Sequence, residues 1–442
     1  MAQLNGETTL QQRLEIVERA LAGESDAAIA QAIAYSTWTV RKWRRRERDQ
    51  GRAGLTTQRG RPASGALGTA SAEIRETICT MRRGNPGWGA KTILIELGKD
   101  DRYANQHLPS RSRIAAFLKQ EGFTRPYERH SELTQPPPTT ATAVHEEWEL
   151  DAQGVVQVDG LGSVCLINIS DLVSRLKVGS QVCADCTKPS TPDYQLACRL
   201  AFLRYGLPRR ISLDHDSAFY DSKCASPFPS LFHLWLIALD IQVRFITKPP
   251  PQEHAVIERS HQVVYQQALE GQVYPDAPTC QQGVDRRLDF LNREYPSRSL
   301  DGRAPLHAYP QGSHSGRDYH PDQEAEMLDL GRVYAYLAQQ RWFRHVSTQG
   351  QFSLGAQRYG LGKTFAEQTI EITFDPHTSC LKCLPEQGDS PPLLPIQGLS
   401  PHELAGGWPP WHDLPTYQHR LPLTAQAWRD MILQQAMGGT IL

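Results

Sequence analysis

The sequence predicts three kinds of folded unit in one chain: all-α units at the N-terminus, a central α/β core, and a small β-barrel toward the C-terminus. Three patterns predict this. Apolar residues recur at helical spacing over residues 10–123. They then alternate in short strand-like runs separated by helices over 147–265. Finally they alternate between glycine turns over 330–386. A chain of 442 residues with 39% hydrophobic content is long enough for several packed cores.

The first unit, 8–60, reads as three helices. Leu10, Leu14, Val17 and Leu21 fall on one face, and Gly23 ends the helix. "SDAAIAQAIA" starts a second helix with Ser25 as cap. "YSTWTVRKWRRRERD" is the third, capped by Ser36 or Thr37, with Val40 and Trp43 facing the core. A short turn followed by a helix running into basic residues fits a helix-turn-helix. Formal net charge is -1, yet residues 41–61 hold nine Arg or Lys against Glu47 and Asp49. So local a block suggests an anionic partner, with double-stranded DNA as first candidate. Thr37, Thr39, Arg41 and Lys42 are candidates for the major groove. Arg44, Arg45 and Arg46 are further DNA-binding candidates on the same helix. "TTQRGRPASGALG" then offers Arg59 and Arg61 on an arm lying along phosphates or in a minor groove, the alternative being a flexible linker.

A second helical unit, 70–124, places Ile74, Ile78 and Met81 on one helix. Ile93, Leu94 and Leu97 follow on the next, and Ile114, Phe117 and Leu118 on a third capped by Ser110 or Ser112. Two DNA-binding units in series would read a long site by joining two modest affinities. Residues 125–146, rich in Pro and Thr without periodicity, read as a linker.

The core, 147–310, runs strand, strand, strand, helix, strand, helix, strand, helix. "EEWELDAQG" leads to Asp151, "RRISLDHDSAF" has a strand ending at Asp214, and the helix after Pro249, Pro250 and Pro251 carries Glu258. In open α/β sheets ligand chemistry collects at strand ends. Three carboxylates there suit hard divalent cations and leave room for phosphate oxygens. Two ions would activate a hydroxyl and stabilise a leaving oxygen. Asp159, Asp171 and Asp216 are rivals, Asp171 reading as a turn acid.

These blocks also carry a resemblance. "WELD", "GLPRRISLDHDSAF" and "LDIQVRFITKPPPQEHAVIERSH" resemble the signature blocks of the integrase-core DDE transposases, which include retroviral integrases and bacterial insertion-sequence enzymes. Gly206, Pro208, Asp214, Ser217 and Phe219 match the second block, and Glu258 and Arg259 the third. "FLNREYPSRSLDGRAPLHAYP" resembles the segment after the core in bacterial members. The resemblance spans most of residues 10–310. It implies an RNase H-like catalytic core, with Asp151, Asp214 and Glu258 both catalytic and ligands of two Mg²⁺ ions, Mn²⁺ substituting. It implies 3′-end cleavage and strand transfer of transposon ends into target DNA by a homo-oligomer. Arg259 and His261 would then lie beside DNA phosphates. The chain departs from the pattern at His215 and Asp216, where Asn and Gly are usual. Asp240 replaces a common Gly, and 44 positions separate Asp214 from Glu258, longer than the usual interval. These departures keep open an alternative, a catalytically inactive DNA-binding regulator. A third reading is a metal-dependent nuclease without strand transfer.

In the expected barrel, 328–390, Arg341, Arg344, Arg358 and Lys363 stand among Trp342, Phe343 and Tyr359, and Arg341 and Arg344 are candidates for DNA. The tail, 391–442, keeps Trp408, Trp411 and Trp428 in a Pro/Gly-rich context. It is expected either to dock a partner such as an AAA+ ATPase or to pack on its own subunit. No apolar run approaches a membrane span and no signal pattern opens the chain. Nine cysteines, an odd number, argue against a disulfide framework. A cytoplasmic, nucleoid-associated bacterial protein is therefore expected. Cys183/Cys186 and Cys380/Cys383 are CxxC pairs, the latter on opposite faces of a strand.

Overall fold

The computed structural model describes residues 8–56, 65–124, 141–184, 186–216, 218–221, 224–246, 255–385 and 391–406. The chain divides into two compact units, 1–69 and 70–442.

In the first unit, α1 (Leu10–Leu21), α2 (Asp26–Ala32) and α3 (Thr37–Gln50) close around Ile16, Val17, Ile29, Val40 and Trp43. Thr9, Ser25 and Ser36 each cap a helix by accepting a backbone N–H. The buried face of α1 differs from the one its leucines predict. Leu10 and Leu21 are exposed, while Arg13 is buried. Arg13 stacks on Trp43 at 4.1 Å and donates to the Leu55 carbonyl at 2.8 Å, so a long-range partner decides the face.

The second unit is built on a five-stranded mixed sheet of order β3-β2-β1-β4-β5. Its strands are β1 (Glu147–Val158), β2 (Gly162–Asp171), β3 (Lys177–Ala184), β4 (Arg210–Leu213) and β5 (Gln242–Phe245). The first three are antiparallel; β4 pairs parallel to β1, and β5 parallel to β4. One face buries Trp148, Leu150, Ile167, Ile169, Ile211 and Leu213 under α7 (Thr191–Tyr205) and α8 (Leu231–Ala238). The other buries Val158, Val164, Leu166 and Val182 under α9 (Ala255–Val264) and α10 (Ala277–Arg293). Strand alternation divides "EWELD": Trp148 and Leu150 face α7, and Glu147, Glu149 and Asp151 fall on the α9 side.

The helices α4 (Ala72–Gly84), α5 (Ala90–Gly98) and α6 (Arg111–Gln120) pack on this same unit. Trp88 donates to the Gln267 carbonyl and Lys91 to that of Pro296. Arg287 lies between Trp88 and Phe290, 4.5 and 3.8 Å from their ring centres. Gln267 belongs to a π-helical turn, Tyr265–Leu269, that continues α9.

After the short helices α11 (Pro305–Ala308) and α12 (Glu324–Met327), the C-terminal region corrects two expectations. "GRVYAYL" is no strand but the helix α13 (Leu330–Leu337), capped by Asp329, with Val333 and Leu337 buried on one face. The strands that follow do not close into a barrel. Of these, β6 (Trp342–His345), β9 (Thr369–Asp375), β10 (Cys380–Pro385) and β11 (Leu394–Pro395) form an open sheet. The other two, β7 (Gln351–Leu354) and β8 (Gln357–Gly360), pair separately. Closure is unnecessary because this sheet buries Trp342, Ile370, Ile372 and Phe374 in the same core as α7 and α8. The segment through α14 (Pro401–Leu404) also returns to α7, where Gln195 donates to the Leu404 carbonyl and Arg199 to that of Ala405. Among the described residues no helix is long and apolar enough to cross a membrane.

Candidate functional site

Asp151 and Asp214 come together through strand register. Strand β1 pairs with β4 in parallel, with Trp148 opposite Ile211 and Glu149 opposite Ser212. Two residues further, Asp151 stands level with Asp214, just past the end of β4. Asp151 is not at a strand end as expected, because β1 continues to Val158. Neighbouring strands lie about 4.8 Å apart, so the two carboxylates come close where β4 stops alongside the middle of β1. Each is half-buried. Burial, then the negative charges of Asp216, Asp151 and Asp214, push the Tyr194 phenol up and keep it protonated here.

The third acid is placed differently. On α9, Ile257, Ser260 and Val264 are buried against the sheet, and Glu258 is exposed one position from Ile257. The sheet-facing neighbour of Glu258 one turn on is His261. Its Nε2 lies 3.1 Å from Asp151 Oδ2 and its Nδ1 lies 2.7 Å from Asn168 Nδ2. Among the described residues no three His, Cys, Asp or Glu side chains converge as a metal-binding group. Two carboxylates thus stand together and the third stands outside on the adjoining helix. The pair suits a hard cation, but the described side chains as they stand do not make a complete ligand set.

The surroundings are polar beneath α9. Glu149, 1% exposed, accepts the Ile257 N–H at 3.0 Å, and its other oxygen has no partner among the described residues. Burial pushes Glu149 up to about 7 and Lys177 down to about 8. Ser170 donates to Ser260 at 3.0 Å. Asp171 is a structural acid, accepting from His145, Val173 and Ser174. Asp159 is exposed, in the turn after β1. Asp216 pairs with Lys188 at 3.1 Å, and its N–H donates to Asp214 Oδ1 at 2.9 Å. It does so without a positive φ, whereas Asp240 adopts φ +61° where a glycine is usual. The prolines 249–251 and Ser217 lie outside the described residues.

On the first unit, Thr37, Arg41, Arg44, Arg45 and Arg46 are exposed along α3. Arg41 and Arg44 both pair with Asp26, which holds the Asp26 carboxyl below its usual range, the bond from Arg44 being the largest cause. Lys42 lies over Trp38 and Trp43, and Arg46 over Trp43. Thr39 is engaged at the cap, its Oγ1 3.0 Å from Ser36 Oγ. Trp38, 67% exposed at the start of α3, is a surface residue that helical periodicity alone should have singled out. Arg59 and Arg61 lie outside the described residues. Arg259 is exposed beside Glu258 and bonds Gln262. In the C-terminal sheet Arg341 pairs with Glu371, and Arg344 is spent on the Ser226 and Ser353 carbonyls.

A family model described as a helix-turn-helix domain matches residues 12–63. The chain is also similar to solved structures. One is the catalytic core domain of BIV integrase, at 15% identity over 38% of this chain and 95% of that one, TM-score 0.28. A second is the HTLV-2 integrase catalytic core domain in complex with magnesium, at 16% identity over 37% and 96%, TM-score 0.28. A third is the simian T-cell lymphotropic virus intasome in complex with PP2A regulatory subunit B56 gamma, at 11% identity over 69% and 96%, TM-score 0.31. Likeness at these scores decides nothing about chemistry.

Proposed function

We propose that this chain is a DNA transposase of the integrase-core type, a polynucleotidyl transferase that cleaves 3′ ends of a mobile element and joins them to target DNA. The observation that carries the reading is the level placement of Asp151 on β1 and Asp214 just past the end of the parallel strand β4, on the face covered by the helix that bears Glu258. The helix-turn-helix match at residues 12–63 supports the DNA-binding half.

In this reading the core over 147–310 is RNase H-like, and Asp151, Asp214 and Glu258 hold two Mg²⁺ ions, with Mn²⁺ able to substitute. Bound there, the ions would supply activation of the attacking hydroxyl and neutralisation of the leaving oxygen. The chain's own residues do the positioning. His261 holds Asp151, the Asp216 N–H holds Asp214, and the side chain of Glu258 has to turn toward that pair when cation and DNA are present. Exposed Arg259 meets phosphate beside the same pair. Arg41, Lys42, Arg44, Arg45 and Arg46, with Thr37, lie along the element end, and Arg59, Arg61 and Arg341 extend the contact. Two ends must be joined in one event, so the working form is a homo-oligomer on double-stranded DNA, in the bacterial cytoplasm. An AAA+ ATPase docking on the tail draws no support from residues 391–406, which pack on the core. The remaining tail lies outside the described residues.

A second reading, a regulator that binds DNA without turnover, is favoured by one observation: no three acids converge among the described residues. A strand-transfer assay separates the two. A pre-nicked duplex with the DNA flanking the gene as element end is incubated with Mg²⁺ and wild type, Asp214→Asn or Glu258→Gln. Joined product that falls at least 100-fold in both variants supports the transposase. End binding without cleavage or joining in Mg²⁺ or Mn²⁺ supports the regulator. Cleavage without joining supports a nuclease.

A further inference from the structure

Three polar side chains form a line from the interior of the sheet to the candidate site. Asn168 on β2 is fully buried and stands opposite Asp151 in the β1–β2 ladder. Its Nδ2 lies 2.7 Å from His261 Nδ1, and His261 Nε2 lies 3.1 Å from Asp151 Oδ2. A carboxylate oxygen only accepts, so His261 Nε2 donates to Asp151 Oδ2; in a neutral imidazole Nδ1 then accepts from Asn168 Nδ2. Asp151 Oδ2 is thereby occupied, and Oδ1 makes no side-chain bond among the described residues.

We propose that Asn168 and His261 are positioning residues that set the rotamer of Asp151: Asn168 fixes the His261 tautomer, and His261 fixes the carboxylate so that Oδ1 serves a divalent cation shared with Asp214. The proposal rests on the reading of Asp151 and Asp214 as cation ligands. It assigns His261 to the carboxylate rather than to a DNA phosphate. Partners of this kind, bonded to a ligand rather than to the metal, set affinity by about 10- to 100-fold. The same line gives the buried Asn168 Nδ2 a partner, whereas Asn168 Oδ1 has none among the described residues.

Two measurements on the full chain test it. The first is Mn²⁺ binding followed by electron paramagnetic resonance, for wild type, His261→Ala, His261→Gln, His261→Asn and Asp151→Asn. A glutamine amide reaches the place of Nε2 and can donate to Asp151; an asparagine amide reaches only that of Nδ1. The expected result is a loss of at least tenfold in affinity for His261→Ala and His261→Asn, with His261→Gln within about threefold of wild type. Unchanged affinity in His261→Ala, or glutamine no better than asparagine, overturns the proposal. The second is the tautomer itself, read from ¹⁵N shifts of labelled histidines. His261 is expected as the Nε2–H form in wild type and as a mixture in Asn168→Leu. An Nδ1–H form in wild type overturns the proposal whether or not metal binds. A wild-type chain that binds no Mn²⁺ yet shows the Nε2–H form overturns the cation half of the proposal and the reading of the acids as ligands. It leaves the Asn168–His261–Asp151 line established.

Discussion

His233 makes the stability of the core depend on pH in a direction the structure fixes. It lies on α8, 6% exposed, with its ring 5.3 Å from Phe245 and 5.2 Å from Tyr336. Burial alone pushes it down to about 4 from an ordinary 6.5. The unfolded chain therefore takes up a proton near pH 6.5 that the folded chain refuses until near pH 4. Stability is fully present above pH 6.5 and is lost as pH falls through that window. The loss relative to pH 8 is about 2 kcal/mol at pH 5 and about 3 kcal/mol at pH 4.

Replacing His233 by Phe keeps the ring and removes the titration. Near pH 8 the variant should lie within about 1.5 kcal/mol of wild type, as volume-conserving aromatic exchanges do. At pH 5 it should have gained about 2 kcal/mol on wild type. Urea titrations followed by tryptophan fluorescence at pH 8, 6 and 5 read the gap, and Trp235 lies two residues along the same helix. Other groups titrate over this range, but they do so in both proteins and cancel in the difference. A gap that stays constant from pH 8 to pH 5 would refute the reasoning, because a histidine this buried could then be charging without cost. The site has a stake in the outcome. Phe245, which His233 packs against, also packs on His215 at 5.7 Å, next to Asp214.

Two further expectations concern backbone geometry. A β-carbon on Gly87 would overlap the Gln266 carbonyl, so Gly87→Ala should cost about 2 kcal/mol and loosen α4–α6 from the π turn. Limited proteolysis should then cut within 70–124 while leaving the sheet intact, and cleavage at the wild-type rate would count against the docking described above. Ala34 holds φ +59° in the turn between α2 and α3, so Ala34→Gly should stabilise the first unit by about 1 kcal/mol. That appears as roughly fivefold slower amide exchange across α2 and α3, and no slowing would argue that the turn carries no strain.

The parts of this chain legible in its sequence are those that local spacing decides. Ser25 and Ser36 announce their helices because a cap acts within three residues. The core strands announce themselves because every second residue must be apolar to face α7 and α8, and Ile167, Ile169, Ile211 and Leu213 supply that alternation. What failed was decided at a distance. The apolar stripe of α1 pointed to Leu10 and Leu21, but Trp43 draws Arg13 inward instead. The segment "GRVYAYL" has strand-like composition, yet Val333 and Leu337 are four apart and Asp329 stands ready to cap. The barrel was inferred from turns and alternation, which fix strands but not what their faces meet. Here one face meets the core of α7 and α8, so the sheet stays open.

The candidate site shows the same division within four residues. Asp214 could be singled out because it stands at the end of a strand, and β4 does stop at Leu213. Asp151 was expected at a strand end too, but β1 runs on to Val158 and carries Asp151 in its interior, where parallel register brings it level with Asp214. Alternation in "EWELD" also places Glu149 beside Asp151 on the α9 face, a signal present in the sequence and passed over. No local pattern could give the partner of Asp151. His261 sits 110 residues away and Asn168 sits 17 residues away, and only the crossing of α9 over β1 and β2 brings the three into line. Nor could spacing give the stance of Glu258. A helix that buries Ile257, Ser260 and Val264 leaves position 258 at the rim of its contact face. From the rim, a side chain as long as glutamate can turn either to solvent or to the paired aspartates. The described structure has the first arrangement and the proposed chemistry needs the second, so cation binding must change the exposure of Glu258 while leaving that of Asp151 nearly unmoved.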